Sequence, residues 1–292
     1  MDRALPKTYR GTYSRWFFLP AGLIFTVFFL VPTAISFFFS FTRWTLFEWN
    51  WIGFENFAQF FKEPALINGL RNTVVYAAVT SSLKVILGLL LAVLLTSRIR
   101  ARGLLRSIVF FPVLVSTVAI GVTFSVLLHP STGLVNETLA VVGIDGPSWL
   151  TDTRIALLSV ALVDVWKGVG LATLIYIAGI VSIPESYIEA VSMDGGGFFQ
   201  QLWYVIIPLS RPATFTVILL SFVGGLRTFD LIWTMTGGGP GFTTDVLAST
   251  IYKQYQAGFY GLATAGNVVL FLLVILLAYP MQRYFNSKEL QL

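Results

Sequence analysis

Apolar residues run without strand-like alternation through six stretches, at about 16–41, 70–96, 108–128, 155–182, 213–235 and 261–285, with polar segments between them. A helix needs roughly 20 predominantly apolar residues to cross about 30 Å of hydrocarbon, and each stretch has that length. The strands of a transmembrane barrel are only about 10 residues long and alternate apolar with polar positions. The pattern therefore predicts an all-α integral membrane protein of six transmembrane helices, one domain over residues 1–292, with both termini on the same side. The first stretch is longer than the apolar core of a signal peptide, about 7–15 residues, and no clear small-residue cleavage site follows it. It is read as the first helix.

The connecting segments differ in character. Residues 43–70 mix Trp44, Trp49, Trp51, Phe54, Phe57, Phe60 and Phe61 with Glu48, Glu55 and Glu63, as expected of a segment lying at a membrane surface; a sugar-stacking platform is the alternative. Residues 129–154 are rich in Gly and Pro and too poor in apolar residues for a core of their own. The run Thr236-Gly-Gly-Gly-Pro-Gly241 ends the fifth stretch sharply. It lacks the Lys-Ser/Thr that follows a phosphate-cradling loop.

Composition agrees with a membrane setting: 56% of residues are hydrophobic and 11% charged, against about 25% charged in a soluble domain. Lys and Arg flanking the stretches set orientation. One side carries Arg3, Lys7, Arg10, Arg15, Arg98, Arg100, Arg102, Arg106, Arg211, Arg283 and Lys288; the other has Arg43, Lys62, Arg71, Arg154 and Lys253. Eleven against five places both termini in the cytoplasm. The net charge of +5 is accounted for by these helix-end cations and implies no nucleic-acid partner. With no cysteine and a single histidine, His129, thiolate catalysis and zinc–sulfur sites are excluded, and one histidine cannot build a metal site. An intramembrane hydrolase would need a nucleophile with its base, but there is no Cys and His129 lies beyond the third stretch, in an outer loop.

Charges within apolar stretches are costly and point to function. Here they are Lys84 in the second stretch, Asp164 and Lys167 in the fourth, and Arg227 and Asp230 in the fifth. Asp164 with Lys167, and Arg227 with Asp230, are spaced i, i+3 and are expected either to neutralise each other and hold the fourth and fifth helices together, or to line a polar path for a hydroxylated solute. In the second case Trp166, Phe229, Trp233 and Asn267 are the stacking and hydrogen-bonding candidates. Interior carboxylates also suit an ion-driven carrier of a small hydroxylated solute, although no internal repeat divides the chain into two similar halves.

The longest interruption, about 183–212, holds the polar run EAVSMDGGGFFQQLWYVIIPLSRP at 189–212. After Pro184, residues 185–193 have the pattern of a short amphipathic helix stopped at Asp194-Gly195-Gly196-Gly197; a second helix over 198–207 ends at Pro208. Glu185 and Glu189 share one face, and Tyr187, Ile188, Val191 and Met193 offer apolar anchors. This is either an ordinary interfacial connector or a helix presented to a groove in another protein.

Its spacing resembles a known signature. Glu189-Ala190, then Asp194-Gly195, then Val205-Ile-Ile-Pro208 is similar to the EAA loop in the permease subunits of binding-protein-dependent ATP-binding cassette importers: Glu-Ala-Ala, Asp-Gly three residues on, and Ile-x-Leu-Pro after a nine-residue gap. The chain departs from that pattern at Val191 and Gly196 for Ala, Val205 for Ile and Ile207 for Leu, with Leu202 where an aromatic is frequent. Gly196 between two other glycines is expected to loosen the turn. Residues 226–245, containing Phe229-Asp230 and the Met235-Thr236-Gly-Gly-Gly-Pro run, resemble the carbohydrate branch of these permeases, as do Asn56-Phe57 and Arg71-Asn72-Thr73.

The resemblance implies the fold of a type I importer permease, the maltose/glycerol-phosphate-like subunit, multi-pass in a bacterial inner membrane. It implies that Glu185, Glu189, Ala190, Asp194, Gly195 and Pro208 couple the chain to an ATPase, and that the chain catalyses nothing itself. It further implies a second, different six-helix permease, two ATP-binding cassette subunits holding ATP and Mg, an extracytoplasmic solute-binding protein and surrounding membrane lipid. No cofactor is expected on this chain.

Overall fold

A computed structural model describes residues 15–45, 47–97 and 99–289. Of the cations used above for orientation, Arg3, Lys7, Arg10 and Arg98 lie outside the described residues. The chain is built from α1 (Trp16–Ser40), a hairpin of β1 (Thr42–Trp44) and β2 (Trp49–Trp51), α2 (Glu55–Phe60), α3 (Pro64–Thr96), α4 (Arg102–Leu114), α5 (Thr117–Leu127), α6 (Leu134–Val141), α7 (Ala156–Val181), α8 (Glu185–Met193), α9 (Phe198–Leu209), α10 (Arg211–Leu226), α11 (Asp230–Met235), α12 (Leu247–Gln256) and α13 (Tyr260–Glu289).

Four helices, α1, α3, α7 and α13, are long and apolar enough to cross a membrane alone. The pairs α4 with α5, bent by 99°, and α9 with α10, bent by 66°, raise the number to six if each pair is one span. The stretches at 70–96, 155–182 and 261–285 match α3, α7 and α13 closely, with α3 starting earlier at Pro64. That at 16–41 matches α1, but the remaining two are not single helices. The stretch at 108–128 breaks after Leu114, because Pro112 removes a backbone donor from the last turn of α4 and Val115 and Ser116 adopt extended backbone. That at 213–235 breaks at residues 227–229, just after Gly224 and Gly225, which weaken a helix end. At 16 residues α10 covers only about 24 Å, so α11 carries the stretch onward.

Pro208, expected to end a helix, sits inside one, as does Pro32. Pro32 of α1 follows a π turn over Thr26–Leu30, and Pro208 of α9 follows another over Leu202–Ile206. The wider turn relieves the clash of the proline ring with the preceding carbonyl, so α9 continues through Pro208 to Leu209.

The long helix α3 is the axis of the bundle. Its partners are α7 and α10, which pack on it most extensively, and α12. Small residues allow the approach, as is usual between membrane helices: a Cβ on Gly88 would lie 2.8 Å from that of Ala172, and one on Gly225 would meet the Ala77 Cα at 2.6 Å. Core residues divide along α3. At its first turn Leu66 packs with Phe60, Leu247, Ile251 and Leu262. In its middle Tyr76 packs with Ile120, Val160, Leu231 and Met235. At its last turns Ala92 and Val93 pack with Tyr176, Ile180, Ile206 and Val217. The 236–245 loop and the 183–212 break therefore lie at opposite ends of α3.

Two short strands interrupt the all-helical pattern. Thr42 pairs with Trp51 and Trp44 with Trp49, and the buried Asn56 side chain donates to the Ser40 and Thr42 carbonyls at 2.9 and 2.8 Å. The rings of this segment pack on those at the end of α1: Trp44 stacks on Phe39 at 4.2 Å and Trp51 on Phe41 at 5.6 Å, and Phe60 is fully buried.

Candidate functional site

In the 183–212 break, Glu185, Glu189, Ala190, Asp194 and Gly195 are all exposed and Pro208 is half-buried. Glu185 lies in the first turn of α8, where a negative charge suits the helix dipole. The turn after α8 needs Gly195, whose φ is +78°, a left-handed conformation that side chains with a Cβ resist. The Gly196 amide donates to the Val191 carbonyl at 2.8 Å and that of Gly195 to Ser192 at 3.1 Å. A Cβ on Gly196 would lie 2.4 Å from Val191 Cγ1 and 2.7 Å from its carbonyl oxygen. Gly196 thus closes the turn tightly rather than loosening it. The Gln201 side chain donates to Ser192 Oγ at 3.0 Å and ties α9 to α8.

The two short helices play different parts. In α8, Tyr187 and Met193 are exposed while Ile188 and Val191 are half-buried. In α9, Phe198, Phe199, Trp203 and Tyr204 are exposed, but Val205 and Ile206 are buried, Ile206 within the core cluster of α3, α7 and α10. Ser210, at the 66° bend into α10, is 1% exposed. The break thus exposes both apolar and acidic side chains, while the end of α9 is rooted in the bundle.

The intramembrane charges pair differently from the i, i+3 expectation. Lys84 Nζ and Asp164 Oδ2 meet at 2.9 Å, between α3 and α7, with side chains 10% and 19% exposed. A cross-helix partner at 2.9 Å neutralises the carboxylate better than a neighbour on its own helix, and no ion pair joins Asp164 to Lys167 or Arg227 to Asp230 among the described residues. The fully buried Tyr76 has Asp164 and Thr228 as polar neighbours of its hydroxyl. Thr228 belongs to the break between α10 and α11, so the ion pair sits against that break. Arg227 and Asp230 are exposed, and Lys167 is half-buried.

Three of the remaining path candidates come together. Phe229 and Trp233 stack at 5.6 Å, and Tyr252 of α12 meets both edge-on at 5.4 and 4.9 Å. Phe229, Tyr252 and Asn267 line one open cleft of about 400 Å³ with Trp44, Tyr255 and Thr264. Trp166 stands elsewhere, tilted against Phe124 at 5.2 Å, in a separate apolar groove with Trp149.

Sequence reasoning missed Tyr252 and Tyr255, because it treated the segment between the fifth and sixth stretches as a loop. The i, i+4 pair Leu247 and Ile251, both buried, with Tyr252 and Tyr255 directed elsewhere, is a short amphipathic signal that could have shown α12. It also gave Asn72 and Thr73 no role. Asn72 Nδ2 donates to the Thr243 and Asp245 carbonyls at 2.9 and 2.8 Å, and Thr73 Oγ1 accepts from the Leu247 amide at 2.8 Å. Asp245, with no exposed surface, accepts from Ser249 Oγ at 2.7 Å and pairs with Lys253 at 2.7 Å. The glycine-rich loop is therefore bound to α3 and α12.

Residues 84–290 match the family described as "binding-protein-dependent transport system inner membrane component". The chain is 32% identical over 259 residues to the trehalose/maltose transport system permease protein MalF of Thermococcus litoralis, covering 88% of each chain. It is 30% identical over 279 residues to the sn-glycerol-3-phosphate transport system permease protein UgpA of Pectobacterium atrosepticum, covering 92% of each. A solved bacterial alginate transporter, in complex with an alginate pentasaccharide-bound periplasmic protein, contains a chain with the same fold: TM-score 0.79, 24% identity, 92% of this chain and 93% of that one covered. The chain is thus a multi-pass inner-membrane protein with the type I importer permease fold, and it belongs to the family of binding-protein-dependent ABC importer permeases, non-catalytic transport subunits whose ATPase is a separate protein.

Proposed function

We propose that this permease forms half of the path of an ATP-driven importer for a saccharide, polyol or glycerol phosphate, the rest coming from a second, different six-helix permease. Two ATP-binding subunits, which would hold the ATP and Mg, close beneath the pair, and an extracytoplasmic solute-binding protein delivers the solute. The excess of Lys and Arg on the side of the 183–212 break supports a cytoplasmic position for that break and for both termini. Phe229 and Asn267 line the aromatic cleft and Trp233 stacks on Phe229, which supports a place for all three on the solute path, since flat rings and a side-chain amide suit a hydroxylated ring.

The observation that carries the coupling role is the unequal anchoring of α8 and α9. An exposed apolar surface at Tyr187, Met193 and Phe199 is joined through a closed Gly195-Gly196 turn to Val205 and Ile206 in the core. Displacement of α8 by an ATPase would reach α3, α7 and α10 as rigid-body motion, which is the basis of alternating access. The test is purification of the tagged chain in mild detergent, mass spectrometry of what accompanies it, and assay of ATP hydrolysis. Recovery of a second permease and an ATPase supports the reading. A chain that purifies alone, with uptake abolished by a protonophore, contradicts it.

A further inference from the structure

A second cleft, of about 330 Å³, opens at the Pro64 end of α3, between Asn68, Arg71, Arg154 and the loop at Gly241, Phe242 and Thr243. It shares no lining residue with the aromatic cleft. Both arginines are exposed, and neither side chain has a hydrogen bond or ion pair among the described residues. The acids nearby are otherwise engaged: Asp245 is buried against Lys253, and Asp152 accepts the Arg154 backbone amide at 2.8 Å.

The third wall is held by force. Phe242 has φ +65°, a conformation costly for any residue with a Cβ. It is maintained by bonds on either side: Asn72 to the Thr243 and Asp245 carbonyls, and Thr243 Oγ1 to the Pro240 carbonyl at 2.6 Å. The result is an exposed ring, 5.2 Å from Lys253 Nζ, beside two free guanidinium groups. Backbone strain of this kind collects at binding clamps, and guanidinium forks match the two oxygens of a carboxylate.

We propose that the cleft between Arg71, Arg154 and Phe242 is a socket for an acidic side chain of the extracytoplasmic solute-binding protein. This rests on the importer reading above, with the 183–212 break facing the cytoplasm and this end of α3 facing out. The walls come from α3, the start of α7 and the loop that follows α11, so one inserted carboxylate would bridge three elements at the end opposite the break. The separation from the aromatic cleft sets the socket apart from the solute path.

The experiment uses the assembled importer in nanodiscs and, as probe, the solute-binding protein retained on it in mild detergent and returned in purified form. Receptor affinity and receptor-stimulated ATP hydrolysis are compared for wild type, Arg71→Glu/Arg154→Glu and the milder Arg71→Gln/Arg154→Gln. The expected result is receptor affinity weakened at least tenfold in the charge-reversed importer, a flattened salt dependence, and basal ATP hydrolysis unchanged. An acid-to-lysine change on the receptor should restore binding to the reversed variant alone. Unchanged affinity in both variants overturns the proposal, as does an effect confined to the KM of an acidic solute or to discs containing anionic lipid. A wild-type importer whose ATP hydrolysis ignores the receptor would overturn the importer reading itself.

Discussion

Lys84 of α3 and Asp164 of α7 are joined by a 2.9 Å ion pair across the most extensive helix contact in the protein. Truncating one member of a buried pair strands the other charge, at a cost of about 3–5 kcal/mol, whereas replacing both by apolar groups of similar size is near neutral. Asp164→Leu and Lys84→Met alone should each lower the melting temperature of the purified importer markedly. The double variant should recover most of the loss. Additive losses would show that the two residues act independently.

A related prediction concerns the loop clamp. Asn72 satisfies two carbonyls, of Thr243 and Asp245, and a buried group left unsatisfied costs about 1–3 kcal/mol. Asn72→Ala should release residues 236–245 without unfolding the bundle. Hydrogen exchange would then rise in that loop and in the first turn of α12, and stay unchanged in α7. Uniform exchange across the protein would argue against a local clamp.

The aromatic cleft makes a prediction about the solute. Trp233 stacks on Phe229 and meets Tyr252 at 4.9 Å, and an aromatic contact contributes about 0.5–1.5 kcal/mol beyond burial. Tyr252→Ala and Asn267→Ala should raise the KM for uptake by roughly 3- to 10-fold with basal ATP hydrolysis intact. A fall in the maximal rate at constant KM would place these residues outside the solute path.

What the sequence made legible follows from which forces are local. The apolar runs of α3, α7 and α13 are continuous, and their bounds were readable within a few residues, because length and hydropathy alone decide a membrane span. The breaks were not readable. Pro208 looked like a terminus, but the π turn at Leu202–Ile206 lets the helix pass it, and Gly225 gave no sign of a break until its close approach to Ala77 and Thr80 was seen. Asp164 was matched to Lys167 because spacing on one helix is visible in a sequence. Its partner, 80 positions away, is set by the packing of α3 on α7. The residues proposed for coupling stand out in the sequence as a gapped motif, whereas Asn72 and Tyr252 matter only through tertiary neighbours.

The turn between α8 and α9 is the sharpest test of coupling. Gly195 has φ +78° and donates its amide to Ser192 at 3.1 Å. Proline at that position fixes φ near −65° and removes the donor, so Gly195→Pro must reorient α8 relative to α9. Gly195→Ala keeps the donor and meets only the left-handed penalty, about 1–2 kcal/mol, with no atom within 4 Å of the new Cβ. Because Val205 and Ile206 remain anchored in the core, the bundle should still insert and assemble in both variants. The expected outcome is uptake lost in Gly195→Pro while ATP hydrolysis persists without response to receptor, and uptake reduced only a few-fold in Gly195→Ala. Normal uptake by the proline variant would remove the turn from the coupling route and leave α8 an ordinary connector.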